Sequence, residues 1–166
     1  DAAIDRIIER HDPYPAFVFD RHWTLLRANA AGRSVAAILG IGEGSSFLEA
    51  MTRPDGLDVI ENRDEVVQHM LARLSTESAH AGGDAVLDAA IARLAADPAA
   101  RSGPDRVAMP AVVPVRYRIG GQRFSLFSMI AQFGSAEDIA LADLRIELLF
   151  PSDEATREAL ESMVPG

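Results

Sequence analysis

Residues 115–133 read VRYRIGGQRFSLFSMIAQF. Val115, Tyr117 and Ile119 alternate with Arg116 and Arg118, the two-residue period of a strand with one apolar and one solvated face. Gly120 and Gly121 supply the positive backbone angles of a two-residue hairpin turn. The first strand of this hairpin is expected from Ala111 to Ile119 and the return strand from Gln122 to Phe133. The return strand breaks alternation, with Phe124, Leu126, Phe127, Met129 and Ile130 all apolar, which predicts a bulge or burial on both faces.

Working outward, a loop over 134–142 leads to a third strand, Asp143 to Phe150. Its alternation predicts Leu144, Ile146, Leu148 and Phe150 inward, Arg145 and Glu147 outward. Pro151 ends it, and Ser152 is expected to cap a closing helix from Asp153 to Met163 whose acidic first turn suits the positive helix end. Upstream of the hairpin the period is helical. Arg63 to Ser78 sets Val66, Val67, Met70, Leu71 and Leu74 on one stripe, and Asp84 to Ala96 does the same with Val86, Leu87, Ile91 and Leu94. The stretch from Asp97 to Pro110, rich in Pro, Gly and Ser, reads as a loop. Further upstream, Ser46 to Met51 is a short helix, and Ala30 to Leu39 is another, capped by Asn29 and stopped at Gly40 and Gly42. Before these, Ala16 to Asp20 and Trp23 to Arg27 form a hairpin about a turn at Asp20, Arg21 and His22. Phe17 and Phe19 alternate there with Ala16 and Val18, apolar on both faces as in a central strand. The chain opens on an amphipathic helix, Ala2 to Arg10, with Ile4, Ile7 and Ile8 on one side.

Composition narrows the function. The 166 residues carry 16 basic and 25 acidic side chains, a net charge of −9, and no cysteine. All 16 basic residues are arginine. Thiol nucleophiles, zinc-thiolate sites, iron-sulfur clusters and disulfides are excluded, as are a lysine Schiff base and the phosphate-gripping lysine of a Walker loop. An acidic chain of this kind is a poor electrostatic match for nucleic acid. A length of 166 residues suits one domain with its own core. No apolar run approaches the ~20 residues of a membrane span and no leader opens the chain, so a cytoplasmic location is expected. The first residue, Asp1, is not methionine, which leads to the expectation of a longer product with a segment upstream.

Two strands, a run of about four helices, three strands and a last helix describe an α+β fold of Per-Arnt-Sim (PAS) topology. In it a five-stranded antiparallel sheet, with a helical insert between strands 2 and 3 and flanking N- and C-terminal helices, cups a small-molecule cavity. Three stretches make the likeness specific: HDPYPAFVFDRHWTLLRANAAG (11–32), FLEAMTRPDGLDVIENRDEVVQHMLARL (47–74) and FSLFSMIAQFGSAEDIALADLRIELLFPSDEATREAL (124–160). In these the chain resembles the MmyB-like ligand-binding domain, a PAS-like module that follows an Xre-type helix-turn-helix in bacterial transcription regulators. Arg63 departs from the family pattern, which leads to the expectation of a tryptophan before the long helix. The resemblance implies an N-terminal connector helix over 1–10, a PAS-like ligand-binding domain over 11–163 and an upstream helix-turn-helix carrying the DNA contacts. It also implies a homodimer contact and an apolar effector such as a long-chain fatty acid, myristate among them, with no other cofactor.

The expected ligand-lining set is Phe17, Phe19, Phe124 and Leu126 from the sheet and Val66, Met70 and Leu74 from the long helix. Met51, Met129 and Tyr117 complete it, the methionines adapting to ligand shape and the tyrosine hydroxyl orienting a polar head. The same residues also make an ordinary filled core. His69 stands on the long helix, either on its solvated face or facing a ligand carboxylate or haem. His11, His22 and His80 show no metal-ligand spacing, so no metal is expected. Arg116 and Arg118 fall on the solvated strand face. Ser125 and Ser128 lack the turn that presents a nucleophilic serine. Asp55, Asp58, Glu61, Asp64 and Glu65 belong to a turn and a helix start. No acid, base and nucleophile assemble, so no catalytic residue and no enzyme activity are expected. The competing readings are a dimerisation module with a filled pocket and a small enzyme acting on an apolar substrate.

Overall fold

The computed structural model describes residues 2–102, 112–132 and 143–162. Expectations that fall on 103–111, on the loop over 134–142, and on Phe133 and Met163 at the ends of their elements lie outside the described residues. The described chain runs α1 (Ala2–Glu9), β1 (Ala16–Phe19), β2 (Leu25–Ala28), α2 (Ala30–Ile38), α3 (Phe47–Thr52), α4 (Arg63–His80), α5 (Ala85–Ala96), α6 (Ala99–Ser102), β3 (Val115–Ile119), β4 (Gln122–Ala131), β5 (Arg145–Pro151) and α7 (Glu154–Ser162). The five strands form one antiparallel sheet in the order β2-β1-β5-β4-β3. The expected α+β class, the five strands and the helical insert between strands 2 and 3 are all present. The short helix α6 lies in the stretch expected to be a loop.

β1 is buried throughout, so it takes a central place between β2 and β5. Its alternation assigns the two faces of the sheet. Phe17 and Phe19 enter the main core with the insert helices, while Ala16 and Val18 join Ile4 and Ile8 of α1 and Ile146 of β5 in a separate outer core. The amphipathic opening helix therefore closes the outer face. Each isoleucine or valine side chain buried there contributes roughly 1.5–3 kcal/mol.

That second core reverses one expectation. On β5, Ile146 faces α1, and Leu148 packs partly buried against the same outer cluster, whereas Glu147 and Leu149 face the insert helices. Alternation sets which residues share a face, and a sheet covered on both sides gives no polar face to mark the outside. β4 keeps an unbroken register against both neighbours, so it has no bulge, and the Met129 and Ile130 that break its alternation are exposed instead of buried on a second face. Phe127 on its outer face stacks on Phe150, 5.5 Å between ring centroids.

Asn29 joins the two layers. It caps α2 by accepting from Gly32 N (2.8 Å) and also accepts from Ala16 N (2.9 Å), and its amide donates to Ile8 O (3.1 Å) and Tyr14 O (2.8 Å). The turn is tight enough that a Cβ on Gly32 would lie 2.5 Å from the Ala16 carbonyl oxygen. At the far edge, β3 is sheltered by residues 59–61: Arg118 N donates to Val59 O and Glu61 N to Arg116 O, both at 2.8 Å. α7 is capped by Asp153, which accepts from Thr156 N at 2.8 Å; Ser152, the expected cap, instead donates its hydroxyl to Ser125 Oγ.

Candidate functional site

Between the inner face of the sheet and helices α2, α3 and α4 lies a cavity of about 100 Å³. A second, more spacious one of about 380 Å³ adjoins it, between α2 and the ends of β3 and β4, with Leu160 of α7 as part of its wall. Val35, Tyr117 and Leu126 line both, so three side chains divide one apolar region into two chambers. Pockets for small ligands commonly occupy 300–1,000 Å³, a range the larger chamber reaches by itself.

Of the ten residues expected to line a ligand, Phe17, Phe19, Met51, Val66, Met70, Tyr117 and Leu126 line the inner chamber. Phe124 lines the outer chamber. Leu74 is one turn too far along α4 and is fully buried in the core, at 0% exposure. Met129 does not face the cavity: it pairs with Leu148 on the outer face of the sheet and is 51% exposed. The two-residue period explains this, since Leu126 and Ser128 take the inner positions on β4 and the odd residues take the other side.

The inner chamber has a polar end in which His69, already a candidate from the sequence, and Ser128 are joined by Trp23, Arg73 and Glu147, none of which the sequence reading placed there. Trp23 was expected to begin a strand. It sits in the turn before β2 with φ of 62°, a conformation few side chains other than glycine adopt, held by Asp20, whose carboxylate accepts from the amides of His22 and Thr24 at 2.8 Å each. Its indole N–H donates to Glu77 Oε2 at 3.0 Å, and the Arg73 guanidinium lies 4.1 Å from its ring centroid. Arg73 Nε donates to Glu77 Oε1 at 3.2 Å, and its Nη1 is 3.6 Å from Glu147 Oε1. Arg145 Nη1 is 2.8 Å from Glu77 Oε2, close enough for an ion pair though without hydrogen-bond alignment. Two arginines and two carboxylates thus form one half-buried network beside the indole.

His69 lines the cavity and is not on a solvated helix face. Burial first, and then Arg73, push its pKa below the ordinary histidine value, against an opposing pull from Glu147. The neutral imidazole is therefore favoured near pH 7. Burial, and secondarily Glu147, push the Tyr117 hydroxyl far above its ordinary range, so it remains a phenol with a proton to donate. No hydrogen bond fixes that hydroxyl among the described residues, and none joins His69 to Ser128 or Glu147. A nucleophile and base in contact are therefore absent from these residues. Among the described residues there is also no group of three histidine or acidic side chains placed to hold a metal ion.

The remaining candidates have structural partners. Arg63 pairs with Asp97 at 2.6 Å and Asp58 at 3.5 Å, tying the start of α4 to the end of α5 in place of an aromatic wall. Arg116 and Arg118 lie off the cavity face and pair with Glu65 and Glu61. Ser125 N donates to Thr156 Oγ1 on the outer face. His22 is 2.9 Å from Asp84, the cap of α5, and His11 Nε2 meets Leu149 O at 2.8 Å. No described helix is long and apolar enough to cross a membrane.

No curated protein matches the chain. Among solved structures, the PAS domain of Bordetella pertussis BvgS is similar over 98% of this chain and 93% of that one, at 16% identity and a TM-score of 0.41. The family described as the MmyB-like transcription regulator ligand binding domain matches residues 1–163. The chain belongs to the MmyB-like transcription regulator ligand binding domain family.

Proposed function

We propose that this chain is the effector-sensing, non-catalytic domain of a cytoplasmic bacterial transcription regulator, and that an apolar small molecule fills the two adjoining chambers on the inner face of the sheet. The observation that carries this is the continuity of apolar walls from Phe17, Phe19 and Met70 in the inner chamber, across Val35, Tyr117 and Leu126, to Ile38, Phe124 and Leu160 in the outer one. An extended hydrocarbon, a long-chain fatty acid such as myristate among the candidates, would match this elongated apolar space better than a compact polar metabolite.

Signalling would run through the sheet. β1 contributes Phe17 and Phe19 to the cavity and Ala16 and Val18 to the packing of α1. Asp5 of α1 also pairs with Arg27 of β2 at 2.5 Å. A ligand that spreads the inner face would move the strand on which α1 rests. In a regulator with a helix-turn-helix before α1, that movement would alter how the DNA-reading helix is presented, and α1 would act as the connector. The strength of the response equals the ligand's preference for one arrangement over the other.

Solvent extraction of the purified protein followed by mass spectrometry tests the proposal, together with thermal shift against saturated fatty acids of increasing length. Recovery of a stoichiometric lipid, or a melting temperature that rises with ligand concentration, is expected. No recovered lipid and no shift with any chain length would overturn it.

A further inference from the structure

The two chambers differ in what lines them and are divided by few side chains. His69, Arg73 and Glu147 belong to the inner chamber of about 100 Å³. Around the outer one, of about 380 Å³, the polar side chains besides Tyr117 are Asp12 and Ser34, and the backbone of α2 engages both. Asp12 accepts from Ala31 N at 3.3 Å, and Ser34 donates its hydroxyl to Ala30 O at 3.2 Å. The head group of an amphiphile therefore suits the inner chamber and its hydrocarbon tail the roomier outer one.

A tail that joins the chambers has to pass Val35, Tyr117 and Leu126, which line both. Leu126 is fixed in this wall, on β4 between β3 and β5 and 3% exposed. Tyr117 is held less firmly. It stands on β3, the edge strand, none of whose residues is fully buried. No hydrogen bond among the described residues anchors its hydroxyl. Turning the ring aside therefore gives up van der Waals packing but no polar contact with these residues. From the shared walls and this unanchored ring, we propose that Tyr117 is the gate between the chambers and sets the length of hydrocarbon tail the domain accepts. With the ring across the passage, the inner chamber holds a short chain. With the ring aside, one chain runs through both. This rests on the reading of the chambers as a ligand site and adds which residue measures the ligand.

The test adds saturated fatty acids of even chain length, from hexanoate to hexadecanoate, to the whole 166-residue protein at constant pH. The head is the same throughout, so each step in affinity reports the tail. Isothermal titration gives the affinities, and the emission of Trp23, the single tryptophan and part of the inner wall, reports entry independently. Each added methylene that is buried should tighten binding about fourfold, the equivalent of ~0.8 kcal/mol. In the native protein this gain should stall at the length that meets Tyr117 and resume beyond it. Tyr117→Ala should remove the stall, so that acids longer than that length gain about tenfold while hexanoate changes by less than about twofold. Val35→Phe, which fills the passage from the side of α2, should turn the stall into a stop, with no further gain for longer acids. Circular dichroism and melting check each fold, and Tyr117→Leu, with the same expected direction, replaces Tyr117→Ala if that variant does not fold. An uninterrupted rise in the native protein, a stall that the Tyr117 variant leaves in place, or an equal gain at every length would overturn the gate and leave the ligand site standing. Absence of binding by every acid would overturn the ligand site and the gate together.

Discussion

The two faces of one sheet are packed to different ends. On the outer face, Ile4, Ile8, Ala16, Val18 and Ile146 are each at most 3% exposed. On the inner face the same strands meet larger side chains, Phe17, Phe19, Leu126 and Leu149, yet leave two chambers and a network of charges. Protein interiors ordinarily pack to crystal-like density, so the difference separates the face that holds the sheet rigid from the face that leaves room. β1 belongs to both. Its alternation of small and aromatic residues lets α1 approach closely on one side while keeping bulky, widely spaced rings on the other.

Breaking the link between the two faces should have the largest effect. Asn29 is 2% exposed and uses both donors and both acceptor positions, reaching α1, β1 and α2. Asn29→Ala would strand several buried backbone groups together, at a cost of about 3–4 kcal/mol. Urea unfolding should show one cooperative transition at a lower midpoint. If α1 detached in a separate early transition, the two faces would be independent and the comparison would lose its basis.

Truncations on each side sharpen the contrast. Ile146→Ala removes a side chain from the outer core, where nothing lies ready to fill the space, and should cost about 3 kcal/mol. Met70→Ala widens a cavity that already exists and should cost about 2 kcal/mol, with a larger change in ligand affinity than Ile146→Ala produces. Overfilling should behave oppositely. Ala36→Leu projects into the inner chamber and should change stability by less than about 1 kcal/mol while abolishing ligand-induced thermal shifts. Val18→Phe, forced into the outer core, should destabilise by about 2 kcal/mol. Equal costs for these last two would mean that the inner face is as full as the outer.

The contrast also explains how far the sequence could be read. Period and turn chemistry located the strands and most helices, because Gly120 and Gly121, Pro151 and the Val66 to Leu74 stripe each carry a local signal. The apolar cavity wall followed from the same alternation. What alternation could not supply was which face of β5 is inside. Leu144, Ile146, Leu148 and Phe150 look like the buried side only if the other side meets water, and α1 removes that assumption. Glu147 was expected outward for this reason, and Met129, expected to line the ligand as an adaptable methionine, pairs with Leu148 on the other face of β4. The charged network was hidden more thoroughly. Its members come from the β2 turn, α4 and β5, separated by 54 residues between Trp23 and Glu77, and no local period connects them. The capping aspartate of α7 was missed by one residue because Ser152 and Asp153 carry equivalent cap chemistry.

The smallest expected effect is electrostatic and separates the faces by their response to pH. At the inner chamber stands His69, facing Arg73 on its own helix and Glu147 on β5. Burial, aided by Arg73, lowers its pKa below the ordinary 6.5, so the folded protein resists a proton that the unfolded chain accepts. Between the lowered value and 6.5 the unfolded state binds more protons, and stability therefore rises with pH. The contribution is complete above about pH 7 and is lost as the solution is acidified through the unfolded value. The carboxylates act lower down. Asp97, held down chiefly by its hydrogen bond with Arg63, and Asp153, held down by Thr156, stabilise the fold above their ordinary 3.8 and lose that contribution only as pH falls below it. The histidine's window opens just below its ordinary 6.5 and the carboxylates' just below their ordinary 3.8. His69→Gln should therefore flatten the stability profile just below about pH 6.5 while leaving the loss below about pH 4 in place, as measured by urea unfolding at each pH. A slope in the upper window that persists in His69→Gln would assign it to another group and would place the histidine in contact with solvent instead of the chamber.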